Sequence, residues 1–269
     1  MLLIDKYAYF NRYHNVNPIE KMVFSIGLLL FSLIVREEII ACLTFCLMSG
    51  MIVIGAKIPL HYYVKLITLP GFFLLTSLVS ILFSVATTDA NVQSALISFE
   101  LGPLSFWISY SSIKTAIELF WVVLASISCL YFLILTTPIQ SLCYVLRRWH
   151  VPSLFVDLME LTYHFIFVFL ESAHKIYVAQ QSRLAYQTFS LWLRSISLLI
   201  SALFVELIHR SKELSNAMLA RGGETHTNVY VDSNQPYSLK NWLLMISIFC
   251  LFGIIYVLFG GNHDGRILF

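Results

Sequence analysis

Four polar side chains of this chain, Asp157, Glu160, His164 and Glu171, are spaced so that a helix would place them on one face. At 100° per residue they lie within about 60° of one another. Carboxylate and imidazole groups gathered in this way can hold a metal ion or pass protons. The same stripe continues to Lys175, however, and an ammonium group is a poor neighbour for a bound cation. A polar face toward solvent or a partner protein is therefore the favoured interpretation.

Two arginines stand in similar triplets, Ser182-Arg183-Leu184 and Ala220-Arg221-Gly222, near the ends of two predicted helices. A single basic residue in a last helical turn can simply complement the helix dipole, an effect of about 0.3–1 kcal/mol. Two such triplets on helices of similar length favour a different interpretation, because the planar guanidinium group pairs bidentately with carboxylates. The pattern predicts a pair of docking points for partner proteins.

The helices that carry these groups are predicted within residues 136–224. Thr136-Thr137-Pro138 is typical of a helix start, with threonine as the N-cap and proline at the first helical position. The helices are expected over residues 138–149, 153–186 and 190–221, and Gly222-Gly223 would stop the last one. A long polar stripe is costly in hydrocarbon. We therefore predict amphipathic helices at the cytoplasmic face.

The rest of the chain is predicted to cross a membrane. Of its 269 residues, 58% are hydrophobic and 12% are charged, and a span needs roughly 20 apolar residues. We expect an all-α integral membrane protein with about five spans and an external loop over 87–111 that contains a short hairpin or partial helix. The predicted spans are Lys21–Val35, Ile39–Ala56, Leu66–Ala86, Ser112–Leu135 and Leu239–Phe259.

The basic residues predict the orientation and the domains. With a cytoplasmic N-terminus, the inner segments hold 14 of the 17 Lys and Arg residues, and the outer segments hold Arg36, Lys114 and Arg266. This excess follows the positive-inside rule, and an odd number of spans would place the C-terminus outside. The predicted domains are residues 1–135 (interfacial segment and four spans), 136–224 (cytoplasmic coupling domain) and 225–269 (linker and last span) of a multi-pass cell-membrane protein.

Several classes of function lack their sequence patterns. The chain has no Gly-x-x-x-x-Gly-Lys-Ser/Thr phosphate-binding loop, no Gly-x-Ser-x-Gly, no His-Glu-x-x-His and no dinucleotide-binding glycines. The net charge of +2 gives no case for nucleic acid. The five cysteines form no Cys-x-x-Cys pair and mostly lie within apolar runs, and the two that share a helix face, Cys42 and Cys46, are interpreted as small buried thiols. No enzyme activity, cofactor or resident metal site is predicted, so a transported metal ion would find most of its ligands elsewhere.

Several motifs give the chain a resemblance to one family along nearly its whole length. They are Asn17-Pro18-x-x-Lys21, Thr136-Thr137-Pro138, Val151-Pro152, Glu160-Leu161-Thr162-Tyr163-His164-Phe165, Ala179-Gln180-x-x-Arg183 and Ala217-Met218-x-Ala220-Arg221-Gly222. In these motifs the chain resembles the T component of energy-coupling-factor (ECF) transporters, especially the CbiQ type associated with cobalt. Ala185 and His164 depart from the family, which commonly has glycine and arginine at these positions.

The resemblance implies a non-catalytic membrane scaffold of an ATP-driven importer. It would join two cytoplasmic ABC-type ATPases to a substrate-binding membrane subunit, and the resemblance to the CbiQ type implies cobalt uptake. In that family the two arginine triplets dock into the ATPases, which implies this role for residues 182–184 and 220–222. The alternatives are a T component for nickel or a vitamin, a stand-alone secondary transporter that uses the Asp157/Glu160/His164 stripe, and an integral-membrane enzyme.

Overall fold

The protein is seen in a computed structural model that describes residues 7–9, 11–82, 84–87, 95–101, 104–220, 222 and 238–259. Helices dominate, as predicted for an all-α membrane protein. Their bounds are α1 Pro18–Val35, α2 Glu38–Gly50 (continued by a π-helical turn Met51–Gly55), α3 Leu60–Leu82, α4 Tyr110–Thr136, α5 Ile139–Arg148, α6 Ser153–Ser182, α7 Phe189–Ala220 and α8 Leu239–Phe259.

A small antiparallel sheet lies between α3 and α4. Its strands are β1 Ser84–Thr87, β2 Ala95–Leu101 and β3 Leu104–Ser109, in the order β1-β3-β2. Leu101 pairs with Leu104 at the closed end of the β2–β3 hairpin. A hairpin is one of the two forms expected for this loop, and residues 102–103 lie outside the described residues.

Seven described helices are long and apolar enough to cross a membrane, by length and composition alone. Five of them are the predicted spans, and the count differs from five because α6 and α7 also qualify. Each of these two helices contains an 18-residue window of high mean hydropathy with few charged residues in it. The sequence prediction instead places these two helices outside the hydrocarbon, as amphipathic helices at the cytoplasmic face.

The chain divides into two compact units. One, here called the membrane unit, contains α1–α4, the sheet and α8. The other, the hairpin unit, contains α5, α6 and α7 and begins at Ile139.

Helix α4 is the centre of the membrane unit, where it packs against α1, α2 and α3, while α8 packs against α1 and α2. Gly27 on α1 makes room for α8, because a β-carbon at Gly27 would come within 2.7 Å of the Phe249 ring. The buried core includes Phe24, Leu28, Ile40, Met48, Ile52, Phe132, Leu135 and Phe252.

Side chains from outside α4 donate to the carbonyls at its C-terminal end, which have no donor within the helix. The Asn11 amide nitrogen donates to the Leu135 carbonyl at 3.1 Å, and Lys21 Nζ, from the first turn of α1, donates to the Thr136 carbonyl at 3.0 Å. Thr136 is the last residue of α4, and the next helix begins at Ile139, one residue after the predicted first helical position Pro138. The Thr136 hydroxyl donates back to the Phe132 carbonyl at 2.6 Å within α4.

A buried carboxylate holds the start of α8. Glu20 is only 2% exposed, and its two oxygens accept from the Ser238 N–H at 3.0 Å and from Asn241 Nδ2 at 2.8 Å. A carboxylate near a helix N-terminus also meets the positive end of the helix dipole. Glu20 therefore connects the last helix to the first.

We expect Glu20→Ala to lower the free energy of unfolding by about 1–3 kcal/mol, because two donors at the start of α8 lose their buried acceptor. Thermal and denaturant unfolding of the detergent-solubilised chain would measure this. Glu37→Ala is the matched control, since the Glu37 side chain is half-buried and makes no cap hydrogen bond at the start of α2. Equal stability of the two variants would contradict the proposed attachment of α8.

Candidate coupling site

Helix α5 ends in a tight turn that leads into α6. The His150 N–H donates to the Arg147 carbonyl and the Val151 N–H donates to the Leu146 carbonyl. These two bonds define a Schellman motif, which needs a left-handed residue at its centre. His150 supplies it with φ of 60°. The turn brings Arg147, in the last helical turn of α5, close to the first two turns of α6.

Arg147 of α5 contacts the two carboxylates at the N-terminal end of the predicted polar stripe. Its guanidinium Nη2 lies 2.6 Å from an Asp157 carboxylate oxygen and 3.7 Å from a Glu160 oxygen. All three side chains are largely buried, with exposures of 17–30%. Burial and the nearby Glu160 carboxylate raise the pKa of the Cys143 thiol to about 11, so this cysteine stays protonated at neutral pH.

The rest of the stripe also forms a local pair. Lys175 Nζ lies 2.7 Å from a Glu171 oxygen, and both side chains are exposed. The three carboxylates of the stripe thus form ion pairs with two basic side chains, Arg147 and Lys175. In the described part of the chain, no three or more His, Cys, Asp or Glu side chains are grouped to hold a metal ion.

The first arginine triplet lies where α6 ends. Ser182 is the last residue of the helix and Arg183 is its C-cap. The Leu184 N–H donates to the Gln181 carbonyl and the Ala185 N–H donates to the Gln180 carbonyl, which is again a Schellman motif. Leu184 takes the left-handed position with φ of 58°. The predicted end near Tyr186 is therefore four residues too late, because leucine is not a recognisable stop signal.

A hydrogen-bond network holds the turn between α6 and α7. Gln180 Nε2 donates to the Ser195 carbonyl at 3.1 Å, and its Oε1 accepts from the Tyr186 hydroxyl at 2.6 Å. The Ser195 hydroxyl donates to the Ala185 carbonyl at 2.9 Å. The Tyr186 ring also lies 5.0 Å from the Tyr177 ring. These contacts tie both helices to residues 183–188 and fix the base from which Arg183 projects.

The Arg183 side chain is exposed. Among the described residues, no carboxylate forms an ion pair with it. A guanidinium group in this state is available to pair with an acidic group of another protein. The role of Arg183 as a docking point stays a prediction.

The second triplet repeats the backbone pattern of the first. Helix α7 ends at Ala220, the Gly222 N–H donates to the Leu219 carbonyl at 3.1 Å, and Gly222 has φ of 95°. Leu184 makes the same three-residue bond to Gln181 in the first triplet. Gly222 acts as the predicted stop. Arg221 lies outside the described residues, as do residues 223–237 of the predicted domain boundary.

The network behind the first triplet is not predicted from the sequence, in which Gln180 appears only within a motif and Ser195 and Tyr186 have no predicted role. Ser195 is 6% exposed, unlike the largely exposed residues around it on α7. Several serines lie on this helix, and nothing local distinguishes Ser195 from Ser197, because its acceptor lies on another element.

The fold and the apolar helices define a multi-pass membrane protein. The family model of CbiQ, described as cobalt transport protein, matches residues 11–231. The chain therefore belongs to the CbiQ cobalt transport protein family, which confirms the resemblance drawn from the motifs.

Individual relatives agree with this assignment. An uncharacterised protein of Methanocaldococcus jannaschii is 29% identical over 94% of this chain and 91% of its own length. The cobalt transport protein CbiQ of Salmonella typhimurium is 25% identical over 80% of this chain and 94% of its own length. A putative fused cobalt transport protein CbiMQ of Methanocorpusculum labreanum is 30% identical over 74% of this chain and 33% of its own length.

We expect Gln180→Ala to loosen the turn between α6 and α7, because it removes hydrogen bonds to Tyr186 and Ser195. Backbone amides of residues 183–188 should exchange with deuterium about tenfold faster, which corresponds to the loss of roughly one hydrogen bond of net stabilisation. Hydrogen exchange of the reconstituted chain measures this. Gln181→Ala is the matched control, since the Gln181 side chain is exposed. Unchanged exchange in Gln180→Ala would contradict the locked turn.

Proposed function

We propose that this chain is the transmembrane coupling subunit, or T component, of an ECF-type ABC importer. The hairpin unit receives the motion of two cytoplasmic ATPase subunits that bind and hydrolyse ATP. The chain transmits that motion to a substrate-binding membrane subunit, which reorients or releases its cargo. The chain itself has no catalytic role in this proposal.

The matched ends of α6 and α7 carry the proposal. Each helix ends in a triplet whose last residue has a left-handed backbone and the same short hydrogen bond. Between the two triplets lies α7, whose 32 residues span about 48 Å at 1.5 Å per residue. Points this far apart suit two separate partner subunits better than one binding groove.

Several features support a location of α6 and α7 outside the hydrocarbon, although both qualify as spans by composition. At 30 and 32 residues they are about 45 and 48 Å long, well beyond the roughly 30 Å of a bilayer core. Their side chains also form ion pairs, namely Asp157 with Arg147 of α5, Glu171 with Lys175 and Glu213 with Arg210. In this proposal the hairpin unit and the N-terminus are cytoplasmic, in keeping with the positive-inside excess, and the C-terminus is external.

Cobalt is the proposed cargo of the complex. The named CbiQ relatives are cobalt transport proteins, and one relative is named as a fused CbiMQ protein. The fusion supports a partner polypeptide that works beside a chain of this kind. Nickel or a vitamin is the alternative cargo, and the partner's substrate site would decide between them.

The stand-alone transporter alternative predicts that the acidic stripe binds the transported ion. The contacts of Arg147 favour a structural role, since the guanidinium already lies against Asp157 and Glu160. A buried charge cluster can be replaced as a whole at little cost, whereas removing one member leaves unpaired charge.

We therefore expect Arg147→Met, Asp157→Asn and Glu160→Gln, combined in one variant, to keep most of the radiolabelled cobalt uptake of cells that carry the complete transporter. Arg147→Met alone is the comparison, and it should be less stable than the triple variant because two largely buried carboxylates lose their cation. Loss of uptake in a stable, correctly inserted triple variant would favour the ion-site alternative.

We expect Arg183→Ala combined with Arg221→Ala to reduce uptake to background without preventing membrane insertion, because both docking points lose their guanidinium group. Uptake and the amount of chain in the membrane fraction are measured in the same cells. Arg194→Ala combined with Arg210→Ala is the matched control, since these arginines lie on α7 but outside the triplets. Wild-type uptake by the Arg183/Arg221 variant would overturn the proposed function.

A further inference from the structure

Leu184 occupies a backbone position that leucine rarely adopts. Its φ of 58° lies in the left-handed region, where the β-carbon of a residue other than glycine comes too close to the following carbonyl oxygen. Glycine is the usual residue at this position of a Schellman motif. The second triplet has Gly222 at the matching position, with φ of 95°. The first triplet therefore carries a bulky apolar side chain where the backbone favours none.

Packing within the hairpin unit does little to offset this strain. Leu184 is 62% exposed, so most of its surface is not covered by other residues of the hairpin unit. In a Schellman motif, the apolar contact with the helix usually comes from the residue after the left-handed one. That residue is Ala185 here, so the motif does not call for an apolar side chain at Leu184. Strained residues of this kind are often retained at functional sites.

The neighbours of Leu184 indicate what it contacts. Arg183 directly precedes it and is also exposed, and the network of Gln180, Tyr186 and Ser195 holds the turn from which both side chains leave. A fixed turn therefore presents a guanidinium group and an isobutyl group side by side. The complementary surface on a partner is a carboxylate next to an apolar pocket.

We propose that Leu184 is a specificity-determining residue of the first docking point and enters an apolar pocket of an ATPase subunit beside the carboxylate that pairs with Arg183. This inference rests on the proposed function. It makes the two docking points chemically unequal, because the second has Gly222 in place of an apolar side chain. A protein pocket is a better match than a lipid surface, since one leucine buries too little apolar area to hold a segment on a bilayer.

Leu184→Gly gives a test in which a structural and a docking role have opposite effects. Glycine relieves the left-handed strain, so the thermal stability of the purified chain should stay the same or rise. Its affinity for the ATPase subunits that copurify with the wild-type chain should fall about tenfold, because the apolar contact is lost. Affinity is measured with the full chain in nanodiscs, and Leu184→Met should retain binding.

The controls separate the failure of this inference from that of the proposed function. Unchanged or tighter ATPase binding by Leu184→Gly would overturn the role of Leu184, while the loss of binding by Arg183→Ala with Arg221→Ala would leave the proposed function standing. Wild-type binding by that arginine variant would overturn both. Reduced uptake by Leu184→Gly with unchanged ATPase affinity would also overturn the inference, and would assign the side chain to lipid or to the substrate subunit.

Discussion

The structure depends on one constraint, which is that carbonyl groups at a helix end must find donors once the helical pattern stops. At the end of α4 the donors are the side chains of Asn11, which precedes α1, and of Lys21 in the first turn of α1. At the ends of α5 and α6 the donors are backbone N–H groups, and the chain turns through a left-handed residue to supply them. Each solution fixes where the next element begins.

The membrane unit uses side-chain donors at the end of α4, whereas the hairpin unit uses backbone donors at the ends of α5 and α6. In the membrane unit, buried side chains such as Lys21 and Glu20 join helices that are far apart in the sequence, which suits a scaffold that stays assembled while its partners move. In the hairpin unit, the backbone turn at the end of α6 leaves the Arg183 side chain exposed. The proposed coupling subunit needs both properties. Motion of an ATPase at the end of α6 is transmitted only if the helices that carry this end stay rigid.

The extent to which the sequence predicts this structure follows from the range of each interaction. The apolar run Leu239–Phe259 predicts α8 with the bounds observed, and Gly222 predicts a stop that is present, because both signals are local. The end of α6 is misplaced because Leu184 gives no local sign of its left-handed backbone. The pairing of Arg147 with Asp157 and the bond from Gln180 to Ser195 join separate elements, and no spacing rule specifies such partners.

The most direct test of the coupling role is photo-cross-linking from the exposed residue Gln187, in the turn that carries Arg183, in native membranes. The tagged chain is then purified in mild detergent, and its cross-linked and copurifying proteins are identified by mass spectrometry. We expect a cross-link to an ATPase subunit, in a complex that holds two ATPase copies and a small membrane subunit. Recovery of the chain alone, still binding a small solute, would contradict the coupling role and favour a stand-alone transporter.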